Sequence, residues 1–598
     1  MVRTPAAQPK SIMGISGLHN SVPFKQARFP GLDWRDYRIT QGFDSAAALL
    51  HEGELVSAVA EERFTGEKAT GAFPEHAIRF GCERAGISVD SLDVLAHGFS
   101  YEPLRAEFDH SELGRARFRE VFARQVLLDK LTETFGGDWD DRLVQVPHHL
   151  AHAASTFYPS GFDSALILVA DGMGEQHSAT VALGTDAGIE PIATVSELNS
   201  LGILYGVFTY YLGFAFGLDE YKIMGLAPYG DHRKHFAAMM DLIHLRPDGT
   251  FTIPILYRNE TDLDRETYRG TLKAVEEIFG PARGPEDELT DHHRDIAAAL
   301  QAALEATLLH TLRHFRKQTG AKNLCMAGGV ALNCTANGVI LRSRQFKRMF
   351  IQSAAGDDGT ALGAALYVHH QRDQAAPITG IETPLNGPEY SDDEIAAALA
   401  GRTDCTATRF DDFAALAGEL GRRLAAGQIG ALFQGRLEYG PRALGNRSIL
   451  GDPRHPRMRD IINAKVKKRE GFRPFAPAVL DEYATTYFDI KDTEVDTYAW
   501  MLFITSVRPE FREGLPAVTH VDGSARVQTV SRERNERFWT VIDAFRQETG
   551  TPILLNTSFN VKGQPIVCTP AEGLDTFVTA GLDVLAIGNY LVEPVRAG

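Results

Sequence analysis

Residues 165–184 read ALILVADGMGEQHSATVALG and decide the fold of the first part of the chain. An apolar run ends at Asp171, a glycine-rich turn follows, and a second apolar run begins after Ser178. Two such runs joined by a turn that contains glycine are typical of a β-hairpin. The same pattern recurs in SAAALLHEGELVSAVAEER, residues 45–63, and predicts another hairpin.

Helical patterns occur between and after these hairpins. The stretch IAAALQAALEATLLHTLRHFRKQTG, residues 296–320, has the period of an amphipathic helix that ends at Gly320. The next segment, KNLCMAGGVALN at 322–333, reads as a strand followed by a glycine turn. Strands that alternate with helices indicate an α/β fold.

The composition of residues 374–394, rich in proline, glycine and acidic residues, favours a linker. We therefore expect one domain at 1–380 and a second α/β domain at 381–598. The polar, irregular stretch near 245–290 fits either an insertion or a helix-rich cap.

The overall composition excludes several classes of protein. A chain of 598 residues is too long for one hydrophobic core. Its net charge of −17 argues against a nucleic-acid partner, which requires a basic surface. No apolar run approaches the about 20 residues that span a bilayer, and the N-terminus lacks a secretory apolar core, so we expect no membrane partner. Five cysteines without a CxxC pair suggest a reducing, cytoplasmic compartment, and Cys325 and Cys334, which flank a glycine turn, are predicted to be packing residues. At this size a homodimer is a reasonable expectation.

Acidic turns and one glycine turn suggest phosphate or cation binding in the first domain. Asp44, Asp171 and the pair Asp357–Asp358 each lie beside glycine or small residues. Such turns let backbone N–H groups approach a phosphate while a carboxylate holds a cation, although a single Asp-Gly turn is more often only a hairpin. The turn after the strand at 322–333 is suited to close approach by a nucleotide, through Gly328, Gly329 and Asn333.

The stretch VPHHLAHAAS, residues 146–155, contains three histidines at the start of a predicted helix. Positions four apart share a helix face, so His148 and His152 point the same way and His149 does not. Such a pair is half of a transition-metal site, or it caps or packs the helix. A zinc-protease HExxH motif is excluded because His149 occupies the glutamate position.

A basic segment stands out in the second domain. Residues 434–477 carry eleven lysines and arginines against four acidic residues, a local balance of +7. NAKVKKRE alone favours a solvated helix, whereas Arg442 and Arg447 are predicted on a glycine-broken loop that could grip an anion. Further along, Arg526 and a polar turn after a strand, with Asn556, Ser558 and Asn560, add polar groups.

The acidic and glycine turns, in this order, resemble the actin-like ATPase superfamily (ASKHA), which has two duplicated α/β halves and ATP between them. The stretch from His148 to Glu175 is similar to the metal site of the branch that uses carbamoyl-adenylate chemistry. This resemblance implies one metal, Fe²⁺ with Mg²⁺ or Mn²⁺ as alternatives, bound by His148, His152, Asp171 and Asp357.

Three motifs of the second domain, GPRALGNRSIL, KxREGFRPFAP and LNTSFN, resemble the NodU/CmcH-type O-carbamoyltransferase family, and the similarity runs over nearly the whole chain. The resemblance implies a YrdC-like second domain that converts carbamoyl phosphate and ATP, its co-substrates, to carbamoyl-adenylate. The residues implied in binding carbamoyl phosphate and the nucleotide are Arg442, Arg447, Lys467, Arg473, Arg526, Asn556 and Ser558. Lys68 matches a lysine near the nucleotide, and we expect Lys68, Arg442 and Arg473 to act in catalysis, because preplaced cations favour attack on a phosphate.

The N-terminal motif departs from the pattern of this family. The family motif resembles HDSAAALL, with a histidine directly before the aspartate, whereas here Phe43 precedes Asp44. His19, in GISGLHNS, is upstream, so residues about 21–43 are interpreted as an insertion. His19 would then serve as the general base or a substrate contact, or it is an ordinary loop histidine. The insertion either folds over the acceptor pocket or decorates the surface.

The resemblance implies transfer of the carbamoyl group to a hydroxyl of a small-molecule natural product. Two alternatives stay open: a transferase that moves threonylcarbamoyl to tRNA, and a non-enzymatic actin-like protein whose interactions depend on a nucleotide. The acidic charge weighs against the first alternative, and the histidine pair and the basic segment have no use in the second.

Overall fold

The computed structural model describes residues 10–372 and 378–595. The chain divides into two compact units: the first comprises Met1–Phe64, Ala69–Ala336 and Ile340–Glu382, and the second comprises Thr65–Lys68, Asn337–Val339 and Thr383–Gly598. Residues 373–377, at the start of the predicted linker, lie outside the described residues. In the described ranges, no helix has the length and apolar character needed to span a membrane.

The strands of the first unit form two five-stranded sheets and a short two-stranded one. They are β1 (Ser11–Ile15), β2 (Ala46–His51), β3 (Glu54–Ala60), β4 (Val94–His97), β5 (Leu143–Gln145), β6 (Ala165–Ala170), β7 (His177–Thr185), β8 (Gly188–Ser196), β9 (His244–Leu245), β10 (Phe251–Thr252), β11 (Asn323–Ala327) and β12 (Arg348–Ile351).

The two large sheets have the same topology, β3-β2-β1-β4-β5 in one and β8-β7-β6-β11-β12 in the other. In each, three antiparallel strands are followed by two strands parallel to the first. Both predicted hairpins are confirmed, as β2–β3 and β6–β7. This repetition is what two duplicated α/β halves require.

Helices flank these sheets. Up to residue 372 they are α1 (Ser21–Arg28), α2 (Trp34–Tyr37), α3 (Glu62–Thr65), α4 (Glu75–Ala85), α5 (Glu112–Arg117), α6 (Arg124–Phe135), α7 (His148–Phe157), α8 (Leu201–Tyr211), α9 (Glu220–Leu226), α10 (Phe236–Met240), α11 (Asp262–Thr267), α12 (Arg269–Phe279), α13 (Asp291–Thr319), α14 (Cys334–Arg342) and α15 (Asp358–Arg372). The predicted end of the long helix is confirmed, because Gly320 caps α13 in the left-handed conformation. The stretch near 245–290 contains α11 and α12, as a helix-rich segment would.

The second unit is built on an eight-stranded mixed sheet in the order β13-β22-β21-β14-β15-β20-β16-β19, with a separate pair β17–β18. Its strands are β13 (Cys405–Arg409), β14 (Gly430–Phe433), β15 (Arg447–Gly451), β16 (Ala476–Leu480), β17 (Ile504–Ser506), β18 (Ser524–Arg526), β19 (Gln528–Val530), β20 (Ile553–Ser558), β21 (Val584–Ile587) and β22 (Tyr590–Pro594). Its helices are α16 (Asp392–Leu399), α17 (Phe413–Ala425), α18 (Met458–Ile461), α19 (Ala484–Tyr487), α20 (Glu536–Thr549) and α21 (Pro570–Thr579). Apolar side chains of α17 and α20 pack with the sheet in one core.

Three local predictions for the second unit are wrong. Arg447 is the first residue of the buried strand β15, not part of the loop, because it pairs with Phe433 of β14. Asn556 and Ser558 belong to β20 and not to the turn after it, because both pair with β15. The stretch NAKVKKRE is not a regular solvated helix, since it contains the π-helical turn Ile462–Lys467, which Lys468 ends with φ 46°.

All five cysteines are free and buried. The prediction that Cys325 and Cys334 are packing residues is therefore confirmed. A buried free thiol behaves as a small apolar side chain.

Candidate functional site

Two closely packed helices place three of the four predicted metal ligands. His148 opens α7 and His152 lies one turn further on the same face. Asp357 immediately precedes α15, which packs tightly on α7. The close approach requires Gly363, because a Cβ there would lie 1.8 Å from the carbonyl oxygen of Ala151.

The fourth predicted ligand, Asp171, comes from the hairpin formed by β6 and β7. Asp171 follows the fully buried strand β6. Its Oδ1 accepts a hydrogen bond of 2.9 Å from the N–H of Gly329, which leaves Oδ2 at 3.4 Å from His148 Nε2. The glycine turn that suggested nucleotide approach in the sequence thus fixes a carboxylate of this cluster.

The geometry of the four side chains fits one metal ion. One ligand atom from each of His148, His152, Asp171 and Asp357 lies within 4.8 Å of all the others. The two Nε2 atoms are 3.1 Å apart, and Asp357 Oδ1 is 3.5 and 3.6 Å from them. Ligands about 2.0–2.2 Å from a common ion are roughly 3.0–3.5 Å from each other. Two imidazoles and two carboxylates suit a first-row transition metal.

The proton of His148 has a defined position. Its Nδ1 lies 3.0 Å from the carbonyl oxygen of Gly98, which can only accept, so Nδ1 carries the proton. When the imidazole is neutral, Nε2 carries the lone pair on the side of His152 and the carboxylates, as a metal ligand requires. The two Nε2 atoms and the two carboxylates face one another, and their lone pairs can be satisfied only by a cation or by additional protons.

The charges of the cluster are strongly coupled. Burial alone would lower the pKa of His148, but the carboxylates of Asp357 and Asp171 raise it well above its usual value. Burial alone would raise the pKa of Asp171, but His148 and His152 hold it far below its usual value. Without a metal, a proton is thus bound where the ion would lie.

Two residues that the sequence did not single out support His148. Glu175 accepts hydrogen bonds of 2.9 and 3.1 Å from the backbone N–H of His148 and one of 2.8 Å from that of Ser100. It therefore caps the positive end of α7 with a carboxylate. Phe99 stacks on the His148 ring with centroids 4.1 Å apart. Of these two residues, only Glu175 could have been suspected from the sequence, because it is an acidic residue at the end of the DGMGE turn.

His149 is turned away from the cluster, as the helix period predicts. Its Nδ1 lies 2.8 Å from the Thr180 hydroxyl, and burial lowers its pKa well below the usual value. The group of four ligand-bearing residues does not include it.

His19 lines a recess of the first unit together with His97 and the aromatic residues Phe99, Tyr101 and Phe122. Burial, followed by the nearby Lys130, lowers the pKa of His19 to about 4, so its imidazole is neutral at physiological pH. His97 donates from Nε2 to the Gly17 carbonyl at 3.0 Å, and its Nδ1 is buried without a hydrogen-bond partner. No sequence pattern marked His97 as part of this recess.

The other residues of the glycine turn have structural contacts. Gly328 has φ 89°, and a Cβ there would lie 2.3 Å from the Ala170 carbonyl oxygen. Asn333 and Gln301 exchange side-chain hydrogen bonds of 2.9 and 3.1 Å. Nucleotide binding by this turn stays a prediction.

In the second unit, Lys467 is a buried residue of the basic segment. Its Nζ donates to both the backbone and side-chain oxygens of Ser558 and of Asn560, which draws the end of β20 against the π-helical turn. Burial, and then the charges of Arg469, Arg473 and Lys68, lower the pKa of Lys467 well below its usual value. Three predicted site residues, Lys68, Lys467 and Arg473, therefore share one region of positive potential with Ser558 beside it.

Arg447 is fully buried and stacks on the Phe433 ring, 3.6 Å from its centroid. Its terminal nitrogens donate to backbone carbonyl oxygens, those of Gln434, Gly435, Asn446 and Pro388. In this conformation Arg447 holds the loop together, and its role in phosphate binding stays a prediction.

The loop that carries Arg442 is organised by Glu438, another residue missed in the sequence. Glu438 is buried, and its Oε1 accepts backbone N–H groups of Leu444, Asn446 and Arg447 at 2.8, 2.8 and 3.2 Å. A single carboxylate oxygen thus fixes the GPRALGNR turn.

The remaining predicted residues lie in different surroundings. Asn556 is buried and donates to the Ala443 carbonyl at 3.1 Å and to Gln528 Oε1 at 2.7 Å. Arg442 and Arg473 are half-buried. Arg526 ends β18 and pairs with Ile504.

Two family models match this chain. The model described as Carbamoyltransferase N-terminus matches residues 116–366, and the one described as Carbamoyltransferase C-terminus matches residues 421–594. The first contains all four residues of the candidate metal cluster, and the second contains the basic segment and the LNTSFN motif.

Curated relatives extend the similarity to most of the chain. Nodulation protein NolNO of Sinorhizobium fredii is 41% identical over 92% of this chain and 79% of its own length. Nodulation protein NolO of Bradyrhizobium diazoefficiens is 42% identical over 75% of this chain and 78% of its own length. The solved structure of HypF from T. kodakarensis covers 61% of this chain and 48% of its own at 13% identity and a TM-score of 0.29, a similarity too low to add to the fold argument.

Proposed function

The chain belongs to the carbamoyltransferase family, and from that premise we propose that it is an ATP-dependent O-carbamoyltransferase acting on a small hydroxylated natural product. The observation that carries the proposal is the cluster of two histidines and two aspartates in a chain that also has a buried basic site. These two sites suit two successive reactions.

We assign the first reaction to the second unit, as a YrdC-like domain. Carbamoyl phosphate, ATP and water give carbamoyl-adenylate, phosphate and pyrophosphate. Attack on the α-phosphate builds negative charge on oxygen, and the positive potential around Lys467, Arg473 and Lys68 supports such a transition state. Ser558 and Asn560, held by Lys467, supply polar groups beside it.

We assign the second reaction to the first unit, where the acceptor hydroxyl attacks the carbamoyl carbon and AMP leaves. His19 is neutral because burial lowers its pKa to about 4, so it is able to accept the hydroxyl proton. His148, His152, Asp171 and Asp357 would hold Fe²⁺, or Mg²⁺ or Mn²⁺. When bound, the ion would supply Lewis-acid polarisation of the reacting carbamoyl group.

The test separates the two reactions. The full chain is incubated with ATP, labelled carbamoyl phosphate and Fe²⁺, and pyrophosphate and carbamoyl-adenylate are measured. A chain that releases no carbamoyl phosphate-dependent pyrophosphate would refute the proposal. The acceptor is then sought by screening hydroxylated compounds for the mass of one added carbamoyl group.

Two variants test the division of labour. Arg473→Ala should abolish adenylate formation, whereas His148→Ala should retain it and lose transfer. Arg457→Ala, an exposed arginine of the same basic segment, and His110→Ala, an exposed histidine, are the matched controls. Loss of both reactions in His148→Ala would contradict the assignment.

A further inference from the structure

The insertion between β1 and β2 ends beside the metal cluster. Gln41, near the end of this segment, donates from Nε2 to the carbonyl oxygens of Met173 and Gly174, both at 2.8 Å. These residues form the turn that begins at Asp171, a predicted metal ligand, and ends at Glu175, the cap of α7. The insertion therefore contacts the β6–β7 hairpin at its turn.

The orientation of the Gln41 amide follows from its neighbours. Two carbonyl oxygens can only accept, so both hydrogens of Nε2 point to them. Oε1 then faces Tyr101, whose hydroxyl must donate to it. Tyr101 is buried and its ring stacks with that of Phe99, which lies flat against His148. Gln41 thus joins the turn after Asp171 to the aromatic stack behind His148.

The segment that carries Gln41 is itself fixed. Lys25 is buried, and its Nζ donates to the carbonyl oxygens of Asp36, Ile39 and Glu266. Arg38 lies over the Phe43 ring at 3.7 Å from its centroid. A surface ornament would not bury a lysine in this way, because the desolvation of an ammonium must be offset by such contacts.

We infer that Gln41 is a positioning residue for the metal centre. It holds the turn 172–175 so that Asp171 presents Oδ2 to His148 and Glu175 stays on the N-terminus of α7. The role rests on the proposed function only in that the cluster binds a metal ion. Through Gln41 the insertion would support the metal centre, which is a role distinct from contact with the acceptor.

The chemistry of the contact predicts an order among variants. Gln41→Ala removes the two donors, and loss of a residue that supports a metal ligand typically lowers metal affinity about 10–100-fold. Gln41→Glu keeps the volume but sets a carboxylate against two carbonyl oxygens, so it should lower the affinity further. If Gln41 only filled space, the order would be reversed. Tyr101→Phe should have a smaller effect, because Nε2 keeps both acceptors.

The experiment uses the full chain without substrates. Binding of Mn²⁺, and of Fe²⁺ under anaerobic conditions, is measured by calorimetric titration, and backbone hydrogen exchange is measured on the metal-free protein. We expect Gln41→Ala to bind each ion about 10-fold or more weakly and to exchange faster at the amides of 172–176. Gln26→Ala, an exposed glutamine of the same insertion, should match the wild type in both measurements.

The outcomes are distinguishable. Wild-type affinity and wild-type exchange in Gln41→Ala would overturn this role while leaving the metal site intact. Wild-type affinity in Gln41→Glu would overturn it as well, since the repulsion would be without effect. A wild-type chain that binds neither ion would refute the metal site of the proposed function, and this role with it.

Discussion

Glu438 shows how one side chain can organise a loop on which a proposed reaction depends. Glu438→Ala would leave three buried N–H groups without an acceptor, and each costs about 1–3 kcal/mol. We expect a loss of at least about 3 kcal/mol in the unfolding free energy of the second unit, measured by chemical denaturation. Glu438→Gln keeps an acceptor oxygen and should lose much less, so equal losses in both variants would contradict this role.

His19 gives a prediction for the dependence of stability on pH. Its pKa is lowered from 6.5 to about 4 in the folded chain, so below pH 6.5 the unfolded chain takes up a proton that the folded chain does not. The stability that this histidine contributes is present above pH 6.5 and is lost as the pH falls towards about 4. We therefore expect His19→Gln to lose less stability than the wild type on acidification through this window, as measured by the denaturant midpoint. Parallel curves would show that His19 is not buried as described.

The same shift constrains the proposed transfer reaction. A general base with a pKa of about 4 stays unprotonated well below neutrality, so His19 should produce no acid limb near pH 6.5. Single-turnover transfer from preformed carbamoyl-adenylate is the measurement, and His19→Gln should be about 10²–10⁴-fold slower wherever His19 is unprotonated, that is, above a pH of about 4. A wild-type rate in His19→Gln would leave His19 an ordinary loop residue.

At the residue scale, the sequence was sufficient for side chains whose roles follow from local spacing. The face shared by His148 and His152, and the exclusion of His149, follow from the helix period. Glu175, Phe99 and Glu438 were missed, because their roles depend on which backbone groups and rings the tertiary structure brings to them. No local pattern marks a carboxylate as the partner of amides elsewhere in the chain.

The packing of α7 against α15 yields a prediction at the scale of elements. Gly363→Val would place a side chain on the Ala151 carbonyl oxygen, so α15 must move and take Asp357 with it. We expect loss of metal binding in calorimetric titration and destabilisation by about 1–3 kcal/mol or more, while adenylate formation persists. Gly418→Ala is the control, since open space surrounds this exposed glycine of α17, and it should stabilise by about 1 kcal/mol. Normal metal affinity in Gly363→Val would show that the helix packing does not set the position of Asp357.

Hairpins and the long helix could be predicted because their periodicity extends over many residues. Strand ends could not: Arg447, Asn556 and Ser558 are polar residues in strands whose neighbours on both sides complete the hydrogen bonds. For residues about 21–43 the sequence favours neither a cover over the acceptor pocket nor a surface decoration, and buried Lys25 shows that part of this segment is packed into the first unit. Polar residues that become buried through long-range contacts cannot be distinguished from surface residues by sequence pattern alone.

The division of the molecule into two units predicts where a metal ion should act. Ligand that binds only the folded state stabilises by about 2.7 kcal/mol at 100 times its dissociation constant. We expect Mn²⁺ to slow hydrogen exchange in α7 and in the turn after Asp171, without effect on the segment around Lys467. His152→Ala should abolish this protection. Slower exchange around Lys467, and not in α7, would place the ion in the second unit and contradict the proposed metal site.

At the scale of the whole chain, the family resemblance from the sequence is confirmed by the comparisons. The duplicated α/β topology of the first unit agrees with that resemblance. Overall charge was less informative, because a chain of −17 contains a basic segment of +7 that only local counting reveals. The proposed division of labour between the units rests on tertiary positions that no composition can supply.

Because all five native cysteines are buried, thiol reagents should not react with the folded protein. A single cysteine introduced by Gln26→Cys at this exposed position would therefore be the site at which a maleimide dye reacts, with the five native cysteines retained. Such a label would report optically on the insertion while ions and substrates are added.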